Sequence, residues 1–169
     1  MLLRMISSLN KWDANSNPIE REDASYPADS VTDLKTTRNK LSVWKANSDA
    51  ETNDAIVAMA LGRTSIDKLC FVYLDETELS KIGIEAIQDE PGLAPGMAKP
   101  EVLNRHMNLQ HLDYTRLGNL TGYIFSQIDS ENCIIKTKKE LVNLLASYKE
   151  TGIVTLANMN DHLKKSLKW

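Results

Sequence analysis

Between Lys40 and Leu74 the chain reads KLSVWKANSDAETNDAIVAMALGRTSIDKLCFVYL, three elements in succession. Lys40–Lys45 alternates apolar and polar side chains, the period of a half-buried strand. Trp44 falls on the face opposite Leu41 and Val43, so both faces of that strand should be covered. Ser48 and Glu51 then stand at capping-box spacing, and Gly62 follows the last apolar residue as a helix stop. Ile56, Met59 and Ala60 make the stripe between them. Leu69–Leu74 is apolar on both faces, as a central strand is. Strand, capped helix and strand within this length match a parallel βαβ unit with a right-handed crossover. The expected fold class is therefore α+β (mixed α/β): a small sheet holding that parallel unit, several helices against it, and a C-terminal helical pair.

Downstream, Asp75 and Glu78 repeat the cap spacing for a short helix ending at Gly83. Residues 89–100 carry three prolines and two glycines and read as a loop. From Pro100 to Asp129 the pattern is helical, with Leu117, Leu120, Ile124 and Ile128 on one face. Asp113 is an N-cap inside it, which predicts two helices there. Gly118 and Gly122, four apart, suggest close packing against a neighbour. Cys133–Lys136 predicts one more strand. Thr137 and Glu140 open a helix with Leu141, Leu144, Leu145 and Tyr148 inside, closed by Gly152. A last helical pattern uses Leu156, Met159, Leu163 and Leu167.

Upstream, residues 13–33 are polar and acidic, with Pro18 and Pro27. Residues 1–35 are expected to be a polar, partly ordered segment, least protected over 1–30, and 36–169 a single globular domain. The opening Met1–Ile6 is too short for a signal-peptide core, and no apolar run approaches the roughly 18 residues of a membrane span. With 169 residues, 42% of them hydrophobic, the chain is long enough to bury a core. Two cysteines, Cys70 and Cys133, give no disulfide framework, and a cytoplasmic location without membrane contact is expected.

Charge is unevenly placed. Residues 136–169 hold seven lysines against three acids, a net +4, so the rest of the chain carries −7 of the total −3. An acidic body suits a basic partner.

No phosphate-binding glycine loop, paired zinc-ligand motif or nucleophile elbow occurs. No cofactor or metal is expected. His106 and His111 are five apart, which turns them about 140° around a helix onto different faces. With Asp113 they would form a metal site only if the chain breaks between them. Asp75, Glu76 and Glu78 follow a strand end, where α/β proteins place function, although capping already accounts for two of them. Residues 137–169 have the outline of a helix–turn–helix, with Lys164, Lys165 and Lys168 on its second helix. The absence of arginine after Arg116 counts against base readout there.

Three functions follow as expectations. The first is a non-enzymatic protein that binds another protein, such as a toxin-neutralising immunity protein or an accessory subunit of a bacterial defence system. Its candidate surface is Asp75, Glu76, Glu78, Lys164, Lys165 and Lys168. The alternative is a DNA-binding regulator using 137–169. A metal-dependent hydrolase built on His106, His111 and Asp113, or on the Asp75 cluster, is the third.

Overall fold

The computed structural model describes residues 1–12 and 26–169. Six strands form one sheet: β1 (Leu2–Ile6), β2 (Leu41–Lys45), β3 (Leu69–Leu74), β4 (Glu85–Ile87), β5 (His106–Gln110) and β6 (Cys133–Lys136). Their order across the sheet is β4-β5-β2-β1-β3-β6, and every neighbouring pair is antiparallel. The helices are α1 (Ala28–Asp33), α2 (Asp49–Leu61), α3 (Glu76–Lys81), α4 (Pro100–Leu103), α5 (Tyr114–Asp129), α6 (Lys138–Glu150) and α7 (Asp161–Leu167).

The mixed α and β class holds, but the parallel βαβ unit is corrected. β2 and β3 run in the same direction with α2 between them in sequence, as their patterns require. They do not touch in the sheet, because β1 lies between them and pairs antiparallel with both. The helix crosses over one intervening strand. That strand is the apolar opening of the chain. Leu2, Leu3 and Ile6 are buried, with Leu3 on one face and Leu2 and Ile6 on the other. Such a two-sided apolar segment belongs in the middle of a sheet. Residues 2–6, inside the segment expected to be partly ordered, form a central strand of the sheet. The stretch 13–25 lies outside the described residues. Trp12 and Tyr26, which flank it, both pack on Phe125 of α5, with ring centroids 5.2 and 5.3 Å away.

Helices cover both faces. On one, α2, α6 and α7 bury Ile56, Leu61, Leu141, Leu145, Leu163 and Leu167 with Leu3 and Phe71. On the other, α5 and α3 supply Leu120, Ile124, Phe125 and Leu79 against Leu2, Val43 and Val72.

The caps work as their spacing predicts. The Ser48 hydroxyl accepts from Glu51 N–H, Asp75 from Thr77 and Glu78, and Asp113 from Arg116. Thr137 and Glu140 form a full capping box. Of the two glycines in α5, Gly122 packs against the Tyr26 ring, whereas a Cβ added at Gly118 would meet no other part of the described structure within 4 Å.

Two differences lie between Pro100 and Leu167. The helical pattern over 100–129 breaks into α4, strand β5 and α5. In β5 Met107 and Leu109 face one core while His106, Asn108 and Gln110 alternate with them, a period of two. In the C-terminal pair, residues 151–160 separate α6 from α7, and that connection is pinned to the Pro/Gly loop through a Met97–Val154 bridge.

Candidate functional site

The carboxylates named from sequence serve locally. Asp75 caps α3, and the N–H bonds from Thr77 and Glu78 hold its carboxyl below the ordinary range. Glu76 lies 3.9 Å from both the Met1 amine and Lys45 Nζ, and Glu78 pairs with Lys81 at 2.7 Å. Lys164 pairs with Asp161 of its own helix, and Lys165 and Lys168 are exposed. The two groups sit on α3 and on α7 and its C-cap, and no hydrogen bond or ion pair between them is found among the described residues. The helix–turn–helix reading asked for a short turn, where ten residues now intervene, and Leu163 and Leu167 on α7 are committed to the core.

The histidines and Asp113 are placed apart in their roles. His106 is on β5. His111 follows that strand with φ +59°, and its carbonyl accepts from Arg116. Asp113 caps α5 and pairs with the same arginine. Among the described residues no group of three or more His, Cys, Asp or Glu side chains is placed to share a metal.

The structure assembles something the sequence reading missed. Loop residues Asp89–Leu93 fold back over β2 and β5, and the space beneath is a double cleft. One half, about 540 Å³, is polar and is lined by Arg4, Lys35, Arg38, Lys40, Ser42 and Asn108 among others. The other, about 720 Å³, is more apolar, with Trp44, Met59, Leu93 and Leu103 in its walls. Arg4, Ser42, Glu90 and Asn108 line both halves.

Hydrogen bonds define the floor. The His106 Nδ1 lies 3.2 Å from the Glu90 carbonyl, which only accepts, so Nδ1–H donates. In the neutral ring Nε2 is then the acceptor, and the Ser42 hydroxyl donates to it at 2.7 Å. Asp89 accepts from Asn108 Nδ2 at 2.5 Å and Gln110 Nε2 at 2.9 Å, and pairs with Lys40. The Lys40 contact, then Asn108, lowers the Asp89 carboxyl to a pKa of about 2. Gly92 closes the lid. A Cβ there would stand 2.4 Å from Trp44 Cη2 and 2.9 Å from His106 Cβ, so only glycine lets the loop lie this close. Leu93 beside it is 91% exposed.

The signal that could have found this site was the alternation His106-x-Asn108-x-Gln110, a polar sheet face opposite Ser42. Reading residues 100–129 as helix hid it.

Comparison with protein-family models, curated proteins and solved structures returns no match for this chain.

Proposed function

We propose that this chain works without catalysis, by binding another protein, in the manner of a toxin-neutralising immunity protein or an accessory subunit of a defence system. The observation that carries the reading is the lid. Leu93 stands almost fully in solvent at the mouth of a cleft walled by Trp44, Met59 and Leu103. A lone exposed leucine is ordinary, but one on a glycine-tight loop beside an open apolar cleft offers a ready anchor for a partner side chain. The acidic balance of the body favours a basic partner. Because Asp75, Glu76 and Glu78 are each engaged locally, that preference rests on overall charge.

The test is capture by the full-length protein from its native host, with wild type and Leu93→Asp compared by quantitative mass spectrometry. A protein retained by wild type and depleted about tenfold or more by the variant, a loss of about 1.4 kcal/mol, supports the reading. Identical captured sets from both forms count against it.

A further inference from the structure

We propose that the double cleft is a binding site for a phosphomonoester with an apolar body, its phosphate held at Arg4 and its organic group between Trp44 and Leu93. This proposal does not rest on the protein-partner reading, although both place a group in the apolar half of the cleft.

The starting observation is the state of Arg4. It lies on the central strand, where a cation is costly unless paired. β1 and β2 are in register at Leu2↔Lys45 and Leu3↔Trp44, and the ladder goes no further. Beyond it the Ser42 carbonyl takes Arg4 Nη1 at 2.7 Å in place of a strand partner. Arg4 Nε is buried with no hydrogen-bond partner among the described residues. Among the described residues no carboxylate pairs with the guanidinium within 4 Å. The Asp33 charge acts on it only from a distance, while Asp33 Oδ2 accepts from Ser7 N and Trp12 Nε1. Desolvation accordingly lowers the Arg4 pKa to about 10. An arginine has five N–H donors. The edge formed by Nε and Nη2, which suits side-on pairing with an oxyanion, has no protein partner among the described residues.

The surroundings fit a dianion. The polar half brings together four cations, Arg4, Lys35, Arg38 and Lys40, and two acids, Asp89 and Glu90, a surplus of two positive charges. Lys40 and Asp89 already satisfy each other. Further donors at hand are the Thr37 hydroxyl and the second amide N–H of Asn108. The organic group finds the other half, since the two halves meet at Arg4, Ser42, Glu90 and Asn108. A head that needs charge and a body that needs burial are thereby separated by one wall.

The experiment is calorimetric titration of the full-length protein with phenyl phosphate, inorganic phosphate and phenylacetate. Phenyl phosphate should bind about tenfold or more tightly than inorganic phosphate, and more tightly than phenylacetate. Arg4→Met, which keeps the volume and removes the charge, should abolish binding of both phosphates. Should Arg4→Met fail to fold, the rim double variant Lys35→Ala/Arg38→Ala should weaken phenyl phosphate by about tenfold. Leu103→Ala should weaken phenyl phosphate and leave inorganic phosphate unchanged. No heat from phenyl phosphate up to about 10 mM, far beyond a useful affinity, overturns the proposal. So does affinity indifferent to the rim variant, or phenylacetate binding as tightly as phenyl phosphate.

Discussion

Asp54 makes the sharpest stability prediction. It lies in α2 with its side chain 8% exposed. One oxygen takes Arg105 Nη1 at 2.8 Å and faces Lys99 Nζ at 3.5 Å, and the other accepts the Tyr148 hydroxyl at 2.9 Å. Three separate parts of the chain, α2, the two flanks of α4 and α6, thus meet on one carboxylate. Hydrogen bonds to a charged group contribute about 1.5–3 kcal/mol each. Removing a buried partner costs about 3–5 kcal/mol. Arg105 and Lys99 remain partly in water and recover some hydration, which favours the lower end. Asp54→Ala should therefore cost about 3 kcal/mol in urea unfolding. Asp54→Asn keeps an acceptor for Tyr148 and should cost roughly half as much, and Tyr148→Phe about 1 kcal/mol. The double variant should cost less than the sum, because the two side chains share a bond. Tyr148 adds a pH signature. Burial, then the Asp54 contact, raises its pKa well above the ordinary value of about 10. Its contribution is complete below that value and is lost as pH rises through the higher folded one, and Tyr148→Phe should erase that alkaline loss. If Asp54→Ala shifts the midpoint no more than Tyr148→Phe, the carboxylate is not the hub claimed here.

Further outcomes follow from the same structure. Leu3→Ala, deleting a buried side chain of the central strand, should cost about 2–5 kcal/mol, and amides of residues 2–6 should exchange as slowly as those of β3; fast exchange there would remove β1 from the sheet centre. Gly92→Ala should destabilise by about 1–3 kcal/mol and raise the exposure of Trp44, read from its fluorescence among the three tryptophans by comparison with Trp44→Phe. The depressed Asp89 carboxyl contributes stability above the unfolded pKa of about 3.9, and this is lost as pH falls toward 2; Asp89→Asn should flatten that acid limb. Lys164→Ala/Lys165→Ala/Lys168→Ala should leave stability nearly unchanged while Leu163→Ala costs about 2–5 kcal/mol. A salt-dependent gel shift with random duplex, abolished by the triple lysine change, would instead favour DNA binding.

Most of the local chemistry was legible in the sequence. The caps at Ser48, Asp75, Asp113 and Thr137, and the strands at 41–45, 69–74 and 133–136, all depend on neighbours within a few residues. What was illegible depends on distance along the chain. Leu2–Ile6 has only five residues, and nothing near it says that its partners are 45 and 74. The strand at His106–Gln110 does alternate, but it spans only five residues between the helical patterns of α4 and α5, which absorb it. In sequence Arg4 is one charge in an apolar opening. Its meaning appears only once the gap between β1 and β2 is known.

The placement of β1 also dictates an order of events. β2, α2 and β3 can assemble from adjacent sequence, but they leave a slot between two strands running the same way, each with an unsatisfied edge. Leu2–Ile6, which precedes both walls in sequence, is the segment that closes it by pairing with each. Until then the half-built sheet is sticky toward any extended apolar strand, including the same segment of a neighbouring chain. Refolding yield should consequently fall with protein concentration, and an excess of a peptide of residues 1–8 should restore it by filling the slot in trans.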